Sequence, residues 1–446
     1  MSWLKSGKVY SVLFVSAPLL DYHLPMFWRY LFRSLKLLIL ALVFVAITAP
    51  EWPAFGDEAH QLDALIGQRH FDFLVWEAGA AAVKAEAALT REHTYWNDAE
   101  RRQSVLDYLE LLGQIRELDR QIEQIYVDPD VHDPDTAVAV IQAELTQKRA
   151  ELTEIQPMAE AIVQDQVADV LRDEDFALLG QAWPPVMMHM TPLPTILIVS
   201  PRDRIDRIYG IPLKHGLSVA EREALETAVF NQLNLSALVV PIGGLGVYPS
   251  MIMETGNLNW LAEVTAHEWA HVWMTPYPIT FQYIANAQVR TMNETSASIV
   301  GTEIGTAVIA RFYPELLPPP ASENPPQAVP EEPPAFDFRA EMAQTRVRTD
   351  ELLAAGDIEA AEAYMEERRI FFVENGYNIR RLNQAYFAFY GAYADEPGAT
   401  GGDPVGPLVQ EARALSPSLK AFLQTMAPID SLAQLETVVA QLKTER

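Results

Sequence analysis

Cysteine is absent from this chain of 446 residues. Its absence excludes disulfide bonds, thiolate ligands for a metal ion and a cysteine nucleophile, although it leaves the redox compartment undecided. Any zinc site in this chain must therefore be built from histidine and carboxylate side chains.

Positive charge is scarce. The chain has 33 Lys and Arg residues against 60 Asp and Glu residues, which gives a formal net charge of −27. Attraction to phosphate groups supplies most of the non-specific affinity of proteins for nucleic acids. We therefore expect no nucleic-acid partner, and the simplest role of the acidity is to keep the protein soluble.

Long apolar runs are also lacking, and the most apolar run is Leu37–Ala49. Alone it is shorter than the roughly 20 residues that a bilayer requires, but it becomes long enough when extended from Leu31 to Phe55. Basic residues precede the run and acidic residues follow it, which by the positive-inside rule places the body of the protein outside the cytoplasm. We predict an uncleaved single-pass anchor. A cleaved signal peptide is the alternative, which Pro50 disfavours.

The length and apolar content allow two or three structural units. We predict five segments along the chain: a cytoplasmic tail and membrane anchor (1–56), a helical hairpin arm (57–185), a core (186–317), a Pro-rich loop (318–336) and a C-terminal helical part (337–446). The arm would serve either as a stalk that binds a partner protein or as a subdomain packed on the core. Within the core, residues 195–199 and 237–242 are typical of buried strands, and 218–232 of an amphipathic helix. Residues 57–126 predict two helices broken near 90–97, and 337–375 and 376–395 predict one helix each.

The most informative stretch is His267-Glu268-Trp269-Ala270-His271, an H-E-x-x-H run among residues that favour a helix. Asn257 is a suitable cap for the start of this helix, and Pro276 and Pro278 would end it shortly after Met274. Histidines four residues apart lie on one helical face, so both imidazoles can reach one zinc ion. The Glu268 carboxylate then lies beside the metal, where it can take a proton from the water that the metal activates. The alternative is a buried helix with two core histidines.

A third ligand downstream must be a carboxylate, because no histidine follows His271. Residues 290–313 predict a second buried helix, with Glu294 near its start and small residues along nearly the same stripe. Such a stripe would let this helix lie close against the first, and we choose Glu294 as the ligand. Glu303 is the competitor. It lies about 180° away on the helical wheel, so a straight helix cannot turn both carboxylates to one zinc.

These residues carry a family resemblance. H-E-W-A-H followed by N-E-T-S-A-S-I-V-G-T-E from Asn293 resembles the gluzincin peptidases, in which a glutamate on a following helix completes a His, His, Glu site. It resembles more narrowly a bacterial family of predicted membrane-associated aminopeptidases with H-E-x-A-H and N-E-S-x-A-x-x-V-G-x-E-G. The resemblance implies that His267, His271 and Glu294 bind one Zn²⁺ and that Glu268 is the general base.

The chain departs from the gluzincin pattern at two points. Several gluzincins hold a histidine ligand with an aspartate four residues after the ligand glutamate, and this chain has Ser298 there. The histidine must then be oriented by another group. The G-A-M-E-N strand that captures a substrate amino terminus is also missing, which leaves endo- and aminopeptidase activity both open.

Peptide hydrolysis also needs a donor for the negative charge that develops on the carbonyl oxygen. Tyr386, Tyr390 and Tyr393 share one face of a predicted helix, and we choose Tyr390 as the donor. The upstream histidines His189 and His215 are alternatives, and an aromatic core stripe is the structural interpretation. The Gly-rich residues 243–246 either let substrate backbone approach the zinc helix or form a plain turn.

Together these patterns predict an α+β, mostly helical protein with a zincin-like core and a small sheet. The predicted function is peptide hydrolysis by a membrane-anchored zinc metallopeptidase with its body outside the cytoplasm. The expected partners are a peptide or protein substrate, the membrane, and a protein bound by the helical arm. The alternative function is a membrane-tethered scaffold with a structural zinc site, which requires a fourth protein ligand such as Glu303.

Overall fold

The computed structural model describes residues 34–41, 57–90, 92–127, 131, 133–317, 336–391 and 404–444. The chain divides into two compact units, Met1–Gln61 and Leu62–Arg446, and the sites below lie in the second. The fold is α+β and mostly helical with small sheets, which confirms the predicted class. The division into five segments and a protein partner for the arm stay predictions.

The helices precede, separate and follow the strands along the chain. Helix α1 is described over residues 34–41. The others are α2 (Glu58–Ile66), α3 (Phe73–Thr90), α4 (Asp98–Val127), α5 (Pro134–Asp173), α6 (Val219–Leu233), α7 (Leu258–Met274), α8 (Pro278–Phe281), α9 (Ala287–Phe312), α10 (Phe338–Ala354), α11 (Ile358–Glu374), α12 (Gln384–Tyr390), α13 (Val405–Leu415), α14 (Leu419–Met426) and α15 (Leu432–Thr444).

The strands form small sheets. They are β1 (Ala177–Leu178), β2 (Gln181–Ala182), β3 (Met188–Thr191), β4 (Thr195–Pro201), β5 (Tyr209–Leu213), β6 (Leu235–Pro241), β7 (Gly244–Leu245) and β8 (Ser250–Met253). One sheet has the order β5-β4-β6 and is antiparallel, and β1 pairs with β2. In the sheet β3-β8-β7, β3 runs parallel to β8 and β7 runs antiparallel to it.

Local sequence accounts for the central elements. Strands β4 and β6 and helix α6 form where the apolar patterns predict them. The side chain of Asn257 accepts a hydrogen bond from the Trp260 amide and caps α7, which ends at Met274 shortly before Pro276, as predicted. Because an N-cap satisfies one of the free amides of the first turn, the start of α7 is well defined.

The predicted helical arm is an antiparallel pair, α4 and α5. Arg101 bonds Asp165 at 2.7 Å and Arg149 bonds Asp119 at 2.8 Å, so the pairing runs in opposite directions along the two helices. Buried residues of both helices belong to the same apolar cluster as those of α7 and α9. The pair is therefore packed on the core.

Several predicted helix boundaries are wrong. The first helix expected after residue 57 is interrupted between α2 and α3, where Gly67 has φ +57° and the Phe71 amide bonds the carbonyl of Pro212. The helix expected at 337–375 is broken at Gly356, which has φ +80°. A positive φ favours glycine and ends a helix, but only the tertiary partners decide which glycines adopt it.

The predicted membrane localisation is contradicted by the structure. In the part of the chain that the structure describes, every helix is either too short or too polar to cross a membrane. Residues 42–49 of the predicted anchor lie outside the described residues, as do 318–335 of the predicted Pro-rich loop and Tyr393.

Candidate metal centre

Helix α7 presents the two histidines of the H-E-x-x-H run on one face. The Nε2 atoms of His267 and His271 lie 3.1 Å apart. Both imidazoles are mostly buried, with 15% and 18% of their side-chain surface exposed. Two ring nitrogens this close could both bind one cation.

Helix α9 adds a carboxylate to this pair. Oε2 of Glu294 lies 3.6 Å from Nε2 of His267 and 3.4 Å from Nε2 of His271. These three residues could hold a metal ion, because their ligand atoms lie within 4.8 Å of one another. The structure thus brings together the three residues that the sequence analysis chose as ligands.

The distances between the three candidate ligand atoms can be compared with the distances between ligand atoms around a tetrahedral zinc ion. A tetrahedral zinc with bonds of about 2.0–2.1 Å has ligand–ligand edges of about 3.3–3.4 Å. The observed separations of 3.1, 3.4 and 3.6 Å scatter closely around that value. The triangle therefore fits a small tetrahedral ion and leaves a fourth position for a ligand from solution.

Two glycines of α9 allow this close approach. A Cβ atom added to Gly305 would lie 2.7 Å from Cα and 2.8 Å from N of Glu263 in α7. One added to Gly301 would lie 2.9 Å from the Glu263 carbonyl oxygen and 3.1 Å from Cβ of His267. Real Cβ atoms do not approach backbone this closely, so the small-residue stripe is necessary for the helix contact that brings Glu294 to the histidines.

Asn293 orients His271. Its Oδ1 lies 2.8 Å from Nδ1 of His271, while its Nδ2 donates to Oγ1 of Thr280 at 3.3 Å and to the carbonyl of Ile279 at 3.5 Å. Because the amide nitrogen is engaged elsewhere, Oδ1 accepts the Nδ1 proton and Nε2 is left free for a metal. Asn293 therefore orients His271. In several gluzincins an aspartate four residues after the ligand glutamate has this role, and this chain has Ser298 at that position.

Charge coupling is strong within this triangle. Burial alone would lower the pKa of His271, but the Glu294 carboxylate, together with Glu268 and Asn293, outweighs it and raises that pKa to about 9. Burial alone would likewise raise the pKa of Glu294, but the imidazoles of His271 and His267 hold it well below its usual range. Buried opposite charges at this distance favour one another's ionised forms. The site is thus suited to an anionic ligand carboxylate.

Tyr283 holds the other oxygen of the ligand carboxylate. Its hydroxyl, at the turn that follows α8, donates to Oε1 of Glu294. Since Oε2 faces the histidines, the two oxygens have separate partners, which fixes the orientation of the carboxylate. Burial, followed by the charge of Glu294, raises the pKa of Tyr283, so the hydroxyl keeps its proton.

Glu268 lies beside the three ligand residues and is only 4% exposed. Strand β7 covers it: a Cβ atom on Gly244 would overlap the Glu268 carboxylate, and one on Gly246 would lie 2.8 Å from Cβ of His271. Burial raises the pKa of Glu268 above its usual range. Gly244 and Gly246 therefore let the chain's own backbone pack directly against the helix that carries His267 and His271. An approach of substrate backbone to this edge stays a prediction.

A cavity of about 220 Å³ opens at this point. Its lining includes the three ligand residues, Glu268, Asn293 and Tyr283, together with the apolar side chains of Ile196, Ile242, Leu245 and Phe389 and the cationic side chain of Arg207. The cavity combines a metal-binding wall, a buried carboxylate, an apolar wall and an exposed backbone edge.

Other residues considered in the sequence analysis lie elsewhere. Glu303 forms a bidentate ion pair with Arg413, at 2.7 and 2.8 Å, on a different face of α9. Tyr390 ends α12 with its ring 4.5 Å from that of Tyr386, and the aromatic residue of α12 that lines the cavity is Phe389. Nδ1 of His189 lies 3.1 Å from Glu160, outside this cavity.

Three residues of this site were not predicted from the sequence: Asn293 as the orienting group, Tyr283 and Arg207. Asn293 adjoins the ligand Glu294 and was part of the recognised motif, so its position was a usable signal. Tyr283 lies in a turn and Arg207 lies in the loop between β4 and β5, and neither residue belongs to a sequence pattern. Only their contacts with residues distant in the chain show their relation to the candidate metal ligands.

Comparisons with protein-family models, with curated proteins and with solved structures find no match for this chain.

Proposed function

We propose that this chain hydrolyses peptide bonds as a gluzincin-like metallopeptidase with one Zn²⁺ bound by His267, His271 and Glu294. The observation that carries the proposal is the conjunction of a tetrahedrally spaced His, His, Glu triangle with a buried carboxylate, Glu268, beside it. Three protein ligands with one position left open are typical of catalytic zinc, whereas structural zinc is enclosed by four.

When bound, zinc would act as a Lewis acid that activates water and polarises the carbonyl group of the substrate. Glu268 would accept the proton of the attacking water and deliver it to the nitrogen of the leaving amine. Burial raises the pKa of Glu268, which brings a carboxylate nearer to the proton affinity that such a shuttle requires. Asn293 would keep Nε2 of His271 directed at the metal throughout.

Strand β7 would align the substrate. It stands at the end of its sheet, paired with β8, and both Gly244 and Leu245 line the cavity. An extended peptide can add to such an edge through main-chain hydrogen bonds. This would place a backbone carbonyl next to Glu268. The apolar wall of Ile196, Ile242 and Phe389 would then contact a neighbouring side chain.

We assign to Tyr283 the donor role that the sequence analysis gave to Tyr390. Tyr283 is the phenol that contacts a ligand residue, so a short movement of its hydroxyl from Glu294 would reach a substrate oxygen. At saturating zinc, Tyr283→Phe is expected to lower kcat about 10²- to 10³-fold, the usual loss for one such donor. Tyr390→Phe serves as the control and is expected to keep wild-type turnover. Equal activity of both variants in steady-state assays would remove Tyr283 from the reaction.

The assignment of the ligands can be tested by zinc content. Glu294→Ala should lose the bound zinc, which elemental analysis of the purified full chain would measure as a fall from about one ion per chain. Glu303→Ala is the matched control, because it removes a carboxylate from the same helix but breaks only the pair with Arg413. Zinc lost from Glu303→Ala instead would favour the scaffold with a structural site.

A peptide library, assayed beside simple ester and amide substrates, would then separate a peptidase from another zinc hydrolase.

A further inference from the structure

Arg207 is the cationic side chain among the residues that line the metal cavity. Its guanidinium carbon lies 5.2 Å from the centre of the Tyr283 ring, on the ring face. Stacking on an aromatic face holds a guanidinium in a defined plane. Arg207 also makes a hydrogen bond to Tyr283, and a guanidinium has five N–H donors, so others can bind a second group. Arg207 is therefore both oriented and able to bind a further group in the cavity.

Arg207 has no carboxylate within 4.0 Å of its nitrogens among the residues that the structure describes. The nearby acids are directed at Arg204, which lies 3.2 Å from Asp203 and 3.8 Å from Asp206. In a chain with 60 acidic against 33 basic residues, an arginine that lines a cavity without an acidic partner is unusual. Its charge is open to an anion from solution.

A second arginine, Arg290, lies close enough to Arg207 for their charges to interact. Arg290 of α9 is 2% exposed, and its Nη1 donates to the Tyr283 carbonyl at 3.4 Å. Burial and then the charge of Arg207 lower the pKa of Arg290 to about 10. The two cations thus repel one another across Tyr283, and an anion bound to Arg207 would relieve this repulsion.

The position of Arg207 indicates which part of a substrate it would meet. A donor for the reacting carbonyl oxygen must lie about 2.7–3.1 Å from that oxygen, next to the metal. Arg207 is more than 4.0 Å from the Glu294 carboxylate, and Tyr283 contacts both residues. It is therefore placed to bind a group beyond the scissile bond rather than the reacting carbonyl.

We propose that Arg207 is a specificity-determining residue that binds a carboxylate of the substrate close to the scissile bond, so that the site selects acidic peptides. The carboxylate would belong either to an Asp or Glu side chain or to the C-terminus of the peptide, since both present the same planar anion to a guanidinium. This inference rests on the proposed peptidase function, which it refines by naming the substrate class.

The test compares matched peptides on the full, zinc-loaded chain. Internally quenched peptides would carry Glu or Gln at each position around the cleavage point, and a second set would end in a free carboxylate or a carboxamide. We expect wild type to favour one Glu peptide over its Gln counterpart by about tenfold or more in kcat/KM, as for a hydrogen bond to a charged group. If the C-terminus is the ligand, the same preference appears for the free carboxylate instead.

Substitutions at Arg207 and Arg204 show which residue causes the preference for the acidic peptide. Arg207→Met should bring the ratio close to one, mainly through a higher KM for the acidic peptide, while Arg207→Lys should keep part of the ratio through its charge. Arg204→Met is the control, because it removes a neighbouring arginine that already has acidic partners, and it should retain the wild-type ratio. Thermal unfolding of each variant would show whether it is folded.

Binding measured without turnover separates this inference from the proposed function. Calorimetric titration of the Glu268→Gln variant with the paired peptides should show the same acidic preference, lost when Arg207→Met is added. Selective binding without hydrolysis by wild type would keep the Arg207 assignment and reject the peptidase. Hydrolysis with equal rates and equal binding for Glu and Gln peptides would overturn the assignment alone. So would an equal loss of kcat on all peptides in Arg207→Met, because that loss would mean that Arg207 acts on the reacting carbonyl.

Discussion

Glu268→Gln is expected to lower kcat/KM for peptide hydrolysis by about 10²- to 10⁴-fold, the usual contribution of a positioned general base. The change replaces one carboxylate oxygen with an amide nitrogen of nearly the same size, so it removes the proton acceptor and preserves the packing against Gly244. Because Glu268 is not among the three residues that could hold the metal, the zinc content should remain that of wild type.

The matched control is Glu263→Gln. Glu263 belongs to the same helix, and its carboxylate accepts a bond from Thr302 at 3.2 Å, away from the cavity. It should retain wild-type activity and zinc. Steady-state kinetics and elemental analysis of wild type, Glu268→Gln and Glu263→Gln would measure turnover and zinc content for each. Turnover by Glu268→Gln at the wild-type rate, with zinc present, would leave the proposed mechanism without its base.

Gly305→Ala is expected to destabilise the protein by about 1–3 kcal/mol, the usual cost of forcing an extra methyl group into a packed contact. The new Cβ would lie 2.7 Å from backbone of Glu263, which cannot yield as a flexible side chain would. The helices must separate, and Glu294 would then lie farther from the histidines. We therefore expect weaker zinc binding as well as a lower urea midpoint.

Gly113→Ala is the matched control for this prediction. Gly113 stands inside α4, and a Cβ atom there would meet nothing within 4 Å. Alanine in an exposed helical position is favoured over glycine by roughly 0.5–1 kcal/mol, so this variant should be slightly more stable than wild type. If the two substitutions shifted the urea midpoint in the same direction, the close contact of α7 and α9 would not be what Gly305 provides.

The substitutions are expected to affect different properties, because each residue contacts a different part of the site. Glu268 is expected to act on the reaction and not on the metal, whereas Gly305 acts on the distance between helices and therefore on both stability and metal binding. Tyr283→Phe is expected to affect both turnover and the metal site, because the Tyr283 hydroxyl contacts Glu294 and Tyr283 also lines the cavity. Measuring zinc content beside kcat for every variant keeps these contributions separate.

Local spacing sufficed for part of the site. His267, Glu268 and His271 lie within five residues, so the geometry of one helical turn determines their relation whatever the rest of the chain does. Glu294 was identified because it shares a stripe with the small residues of its own helix. The cap at Asn257 and the strands β4 and β6 were also predicted correctly, since each depends on residues that are neighbours in the chain.

Other features had no local signal. Strands β3 and β8 pair in parallel although more than fifty residues separate them, and neither was predicted. The helix break near Gly67 depends on the bond between Phe71 and Pro212. Short elements of this kind are stabilised by partners distant in sequence, and tertiary context then outweighs local preference.

The sequence by itself determined the ligand types, the face on which the two histidines stand and the need for a close helix partner. Only the tertiary structure decided that Tyr283 holds Glu294, that β7 covers Glu268 and that Arg207 stands over the Tyr283 ring. The physical reason is the range of the interactions. Helical periodicity is set by hydrogen bonds four residues apart, whereas the shape and charge of a cavity arise from side chains that folding brings together from distant parts of the chain.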